Sequence, residues 1–151
     1  MTLLRTALWT ILLFAYGVTV AQTADSTKTK ILGKWTIIKH TLPEKDKAVD
    51  KFKSTETKII YEFKKDGTYV LTSDWLFQGK WDKVVTVGKW KLSADSKQIN
   101  LYDNKFLPPH DKDGTCADHP LKIIKLTKTE FTTEEYLYSE DPAGTSYYKK
   151  I

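Results

Sequence analysis

The chain has 151 residues, 40% of them hydrophobic and 28% charged, with a formal net charge of +5. That length suits a single domain, which can bury roughly two-thirds of its unfolded surface without a metal or disulfide staple. Arg5 is the only arginine, and the lysines are interspersed with acids, as in Glu44-Lys45-Asp46-Lys47; this argues against nucleic acid, which is normally gripped by bidentate guanidinium groups along a basic stripe.

Residues 1–21, MTLLRTALWTILLFAYGVTVA, carry one cation at Arg5, an apolar run from Ala7 to Phe14 that continues to Val20, and small residues at Thr19 and Ala21. That layout predicts a secretory signal peptide cut after Ala21, and hence an exported protein, periplasmic or extracellular. The uncharged run is barely long enough to span a bilayer, so no stable membrane insertion is expected after cleavage. No cysteine follows the cut, which excludes lipid attachment there. Residues 22–30 read as a polar, disordered lead, and 31–151 as the domain. Past the cut, 23 lysines stand against 19 acids. The lone Cys116 has no partner in the chain and is expected to be buried or harmlessly exposed.

From residue 34 onward apolar residues recur with a period near two instead of the helical 3.6. Trp35 and Ile37 alternate with Lys34 and Thr36, while Ile59, Tyr61 and Phe63 alternate with Lys58, Ile60, Glu62 and Lys64. Asp66-Gly67 then tolerates positive φ and suits a tight hairpin into a strand from Thr68 to Thr72. Further strands are predicted at Val84 to Leu92, Gln98 to Tyr102, Leu121 to Thr127, Glu130 to Tyr136 and Thr145 to Lys150, joined mostly by short polar turns. Seven or more short antiparallel strands specify an all-β barrel or sandwich. Two connections are longer. The segment 41–57 is charged, with Leu42, Ala48, Val49 and Phe52 spaced for one short helical turn, and is read as a lid. The segment 103–120 is rich in proline and turn formers, and loops of that length inside compact domains are usually functional or mobile.

The tripeptide Gly-Lys-Trp occurs at 33–35, 79–81 and 88–90. Residues two apart in a strand share a face, so a glycine leaves bare backbone beside the indole. Strands that coil to close a barrel use such glycines at their bends with an aromatic covering the gap. Gly33 with Trp35, and Gly88 with Trp90, therefore read as structural closure points whose rings fill one end. The 79–81 copy lies beside Trp75 and Phe77 and reads as rim or hairpin.

These residues carry a resemblance. Gly33-Lys34-Trp35, Tyr61-Glu62-Phe63 leading through Asp66-Gly67 to Thr68-Tyr69, Gly88-Lys89-Trp90-Lys91-Leu92 with Ile99 and Leu101, then Ile124-Lys125-Leu126-Thr127 and Phe131, resemble the bacterial lipocalin-like domain family in order along nearly the whole domain. The resemblance implies an exported, up-and-down antiparallel β-barrel of about eight strands with a cavity for a small molecule. The Gly33 to Trp35 motif is also similar to the first-strand motif of lipocalins proper, which implies a tryptophan at the closed end beneath an arginine of the last strand. Here only Lys149 or Lys150 is available for that place, and lysine lacks the planar group that stacks on an indole.

Chemistry beyond binding has little support. His110, Cys116 and His119 are weak metal candidates, since Cys116 and His119 have the spacing of half a zinc site with no second paired motif. Asp111-Lys112-Asp113-Gly114 lacks the later acidic ligand of a calcium loop. His40 reads as polar rim at a strand end. No nucleophile with a partner and no glycine-rich phosphate cradle is visible, and Glu134 and Glu135 point to opposite faces of a strand. The chain is therefore read as no enzyme, with no cofactor. The expected function is binding of a small, largely apolar ligand. Tyr61, Phe63, Tyr69, Leu71, Trp90 and Ile99 would line the interior, and Trp75, Phe77 and Phe106 the rim. The alternative is a solid barrel with a protein partner, met through the aromatics of 75–81 or through Tyr147-Tyr148.

Overall fold

The computed structural model describes residues 25–43, 48–50, 52–109, 118–136 and 143–151. The expected signal peptide at 1–21, together with His110 and Cys116, lies outside them. A short helix, α1 (25–31), precedes nine strands: β1 (Gly33–Pro43), β2 (Ala48–Asp50), β3 (Thr57–Phe63), β4 (Thr68–Phe77), β5 (Lys80–Leu92), β6 (Gln98–Phe106), β7 (His119–Leu126), β8 (Glu130–Glu135) and β9 (Gly144–Lys150). All neighbours are antiparallel, in the order β2-β1-β3-β4-β5-β6-β7-β8-β9, and β1 also pairs with β9. The sheet thus closes on itself as an up-and-down barrel of eight strands, with the three-residue β2 appended to the end of β1. Closure removes the free edges an open sheet would expose.

The period-two pattern in the sequence is what the barrel reads as inside and outside. In β3, Thr57, Ile59, Tyr61 and Phe63 are buried while Lys58, Ile60 and Glu62 face out. Residues paired across neighbouring strands share a face. Gly33 opposite Phe63, Phe63 opposite Tyr69 and Tyr69 opposite Gly88 therefore carry one layer of the interior around the wall. The strand-to-strand turns use the chemistry expected of them. Asp66 Oδ1 accepts from the Thr68 amide at 2.9 Å and from its hydroxyl at 2.7 Å, while Gly67 takes φ 84°. Those two bonds hold the Asp66 carboxyl below its ordinary pKa. The β4–β5 hairpin turns on Gln78 and Gly79, both at positive φ, which is the primed turn that matches strand twist.

Several expectations are corrected. The lead is not wholly disordered, because 25–31 is helical and its last residue, Ile31, is buried in the core. A hydrogen-bonded turn is found at 53–57, where the Glu56 and Thr57 amides both donate to the Lys53 carbonyl at 2.9 Å, but the expected helical turn through Ala48 and Val49 does not form. Instead β1 runs on to Pro43 and pairs with β2, Leu42 opposite Val49, since a β-branched valine suits a ladder at least as well as a lone turn. β4 and β5 extend past the predicted ends, so that Trp75, Phe77, Lys80 and Trp81 are all strand residues. β6 continues through Asp103 to Phe106, and a bulge there shifts the register between Val87 and Lys89.

Candidate functional site

The two ends of the barrel differ. At one end the last residues of α1 are tied to the barrel, with Ile31 in its core. The Trp35 indole donates to the Ile31 carbonyl at 2.6 Å, and the Lys150 ammonium donates to the Lys30 carbonyl at 3.2 Å while sitting 5.0 Å from the Trp35 ring centroid. A lysine thus occupies the place an arginine would take above the tryptophan, using charge over the ring face instead of stacking. Trp90 is fixed in a similar way, its indole donating to the Lys64 carbonyl at 3.1 Å. With both N–H groups satisfied, two large rings are buried without a polar penalty.

Above this floor the interior is solid. Tyr61 stacks on Phe63 at 5.6 Å, Phe63 meets Trp90 edge-on at 5.5 Å, and Phe131 contacts both Trp35 and Tyr148 at 5.6 Å. Of the residues expected to line the interior, Tyr61, Phe63, Tyr69, Trp90 and Ile99 are all buried in this cluster, and Leu71 is half-buried against it. Of the rim candidates, Trp75 and Phe106 are half-buried on inward positions, and Phe77 is 69% exposed on the projecting hairpin. Trp75, Phe77, Gln78, Lys80, Trp81 and Asp82 line a cleft of about 520 Å³ there. Phe106 stands apart from them, opposite Thr86.

The glycines that precede Trp35 and Trp90 are needed, though their gaps are filled differently from expectation. A Cβ on Gly33, which has φ 111°, would lie 3.0 Å from Cε of Lys150. A Cβ on Gly88 would lie 2.5 Å from Oδ1 of Asn104 and 2.7 Å from Cε1 of Tyr69. The covering groups come from paired strands, not from the tryptophan two residues along, because in a closed sheet the cross-strand neighbour is nearer than the next residue on the same face. At Gly88 this lets the Tyr69 hydroxyl donate to Asn104 at 2.6 Å across the bare backbone.

Toward the other end the wall of β8, β9 and β1 is polar inside. His40 is fully buried, not on the rim as expected, and its Nδ1 shares a 2.8 Å hydrogen bond with Ser146 Oγ. It lies against Gly144, where a Cβ would come within 2.6 Å of the ring. Glu135 is 3% exposed; its Oε1 accepts from Thr133 at 2.8 Å and from the Tyr148 hydroxyl. Tyr148 is therefore interior and unavailable to a protein partner, whereas Tyr147 faces out beneath Lys39. Burial, and then the negative charge on Glu135, push the Tyr148 hydroxyl well above the ordinary tyrosine range. Sequence reasoning placed Glu134 and Glu135 on opposite faces but passed over the buried one. The signal was there, since Phe131, Thr133 and Glu135 share one face of the strand. Glu134 points out and pairs with Lys122 at 3.0 Å.

Among the described residues no group of three or more metal-ligating side chains comes together, and His119 is half-buried at the start of β7. No described helix is long and apolar enough to cross a membrane.

Comparison with curated proteins gives no match. Among solved structures, a lipocalin-like protein from Bacteroides uniformis is 18% identical, covering 81% of this chain and 99% of its own, with a TM-score of 0.49. Residues 31–133, from the end of the capping helix to the interior threonine of β8, match the lipocalin-like domain. The chain belongs to the lipocalin-like domain family.

Proposed function

We propose that this protein is exported, with residues 1–21 as its signal peptide, and that it holds a small, largely apolar molecule in the open half of its barrel without changing it. One observation carries the reading. Leu71, Ser73, Trp75, Val84 and Phe106 occupy inward positions by their pairing, yet all are only half-buried. Inward side chains of a filled barrel lose nearly all contact with water, as Tyr61 and Phe63 do. A half-wet apolar wall above a solid floor is the form of a small-molecule site with its opening at one end. Tyr61, Phe63, Tyr69, Trp90 and Ile99 serve this site as its packed base. Leu71 and Trp75 rest on that base, half-buried, and Phe77 and Phe106 flank the opening.

Native mass spectrometry of the mature protein from its own exported fraction tests this. Extra mass that leaves on denaturation, of a mainly apolar compound, is the expected result. A bare mass that persists after exposure to a lipid and pigment extract would reject it. The favoured reading would then be docking of a protein on the hairpin, where Leu76, Phe77 and Trp81 are exposed.

A further inference from the structure

The hairpin that joins β4 to β5 holds a cleft lined by two kinds of side chain. β3 ends its pairing with β4 at Thr57 opposite Trp75, and β6 ends its pairing with β5 at Phe106 opposite Thr86, so Phe77 to Asp82 extend past the paired ends of both neighbours. Gln78 and Gly79, at φ 49° and 76°, set the tip in a primed turn. The cleft of about 520 Å³ lined by Trp75, Phe77, Gln78, Lys80, Trp81 and Asp82 is within the roughly 300–1,000 Å³ of small-molecule sites.

Three of these residues are aromatic and in contact with water. Phe77 is 69% exposed, Trp81 is 46% exposed and Trp75 is half-buried. The Trp81 ring has the Lys58 ammonium 4.6 Å from its centroid, which restrains its orientation. The register then sets charges beside rings, with Lys80 opposite Phe77 and Asp82 opposite Trp75. The Gln78 amide and the Lys80 ammonium make no hydrogen bond or ion pair with any described residue, so both can bond a ligand.

This mixture narrows the occupant. An anion would meet Asp82 and a cation would meet Lys80, so the lining opposes net charge of either sign. A wholly apolar molecule would strip water from Gln78, Lys80 and Asp82 and return no hydrogen bond, which costs more than ring contact contributes. The molecule that fits is neutral, with hydroxyls around its rim and C–H bonds on its face. Hydroxyls both donate and accept, and their bonds to an ammonium or a carboxylate are charge-assisted. The C–H face suits the negative face of an aromatic ring. A sugar ring has both surfaces.

We propose that the hairpin cleft is a saccharide-binding site, in which Phe77 and Trp81 pack on the C–H faces of sugar rings while Gln78, Lys80 and Asp82 bond their hydroxyls. It adds a second site to the one proposed above and does not depend on it.

Calorimetric titration of the mature protein at pH 7 with maltotriose, cellotriose and the trimer of N-acetylglucosamine tests this. At least one trisaccharide should bind with a Kd of about 1 mM or tighter. In the double variant Phe77→Ala/Trp81→Ala, whose two side chains are both exposed, that affinity should fall at least about tenfold. Binding of none of the three by the native protein at about 10 mM would overturn the proposal, and that result needs no variant to fold. An affinity that survives in the double variant would also overturn it, because the sugar would then sit elsewhere. Neither result touches the apolar site, whose own test is extra mass in native spectra.

Discussion

The Lys150 ammonium sits 5.0 Å from the centroid of the Trp35 ring, joining the last strand of the barrel to the first above the capping helix. Its contact with the ring and its bond to the Lys30 carbonyl are separable from its stem, which packs on Gly33. Lys150→Met keeps most of the stem and removes the charge, and should lower unfolding stability by about 1 kcal/mol in urea denaturation. Lys150→Ala should cost about 2 kcal/mol, because it also uncovers Gly33. Equal midpoints for the native protein and Lys150→Ala would show that the closed end does not depend on this contact.

Two glycines separate steric need from backbone need. Gly88→Ala forces a methyl into Asn104, Tyr69 and the Tyr102 carbonyl, all within 2.9 Å, and should cost about 2–3 kcal/mol. Gly79→Ala meets nothing within 4 Å and is strained only by its φ of 76°, so it should cost about 1 kcal/mol. In an Asn104→Ala background the first penalty should shrink and the second should stay. Thermal melts of the six proteins, each glycine variant and its parent in both backgrounds, measure this, and an unchanged Gly88→Ala penalty would place the clash elsewhere.

The raised pKa of Tyr148 makes a signed prediction at alkaline pH. The folded state holds that proton more tightly than the unfolded chain, whose tyrosine titrates near 10.0. The stability it contributes is complete below about pH 10 and is lost as pH rises through the elevated folded value. Tyr148→Phe removes a titrating group, so its stability should fall less steeply than that of the native protein above pH 10. Parallel curves from urea titrations at stepped pH would count against this origin of alkaline sensitivity.

Filling the open half should compete with ligand. Leu71→Trp adds bulk to an inward, half-buried position and should weaken binding of any interior ligand by about tenfold or more, at a stability cost of about 1 kcal/mol. Phe77→Ser, on the exposed hairpin, should change stability by less than about 0.5 kcal/mol. Ligand mass retained by each variant in native spectra gives the readout. Full retention by Leu71→Trp would put the ligand outside the barrel.

Alternation of side chains along each strand was enough to read seven or more antiparallel strands in a barrel or sandwich, since period two depends only on local backbone geometry and on which face meets water, and the family resemblance narrowed this to a barrel of about eight. The same rule marked Tyr61, Phe63, Tyr69, Trp90 and Ile99 as interior, and Gly33 and Gly88 as places where a side chain is excluded. What alternation cannot carry is height along the barrel axis. Whether an inward residue lies in the solid floor, like Trp90, or in the wetter open half, like Leu71, depends on the stagger between strands and on which end α1 covers. Nor could it show that His40 meets Ser146, 106 residues away, or that Glu135 meets Tyr148 across a strand pair. The first contact exists because β9 returns to β1 and closes the sheet, the second because β8 and β9 pair with Glu135 and Tyr148 on the same face. The inward face was written in the sequence, but its division into a packed base and a half-buried upper wall was decided by strand stagger and closure.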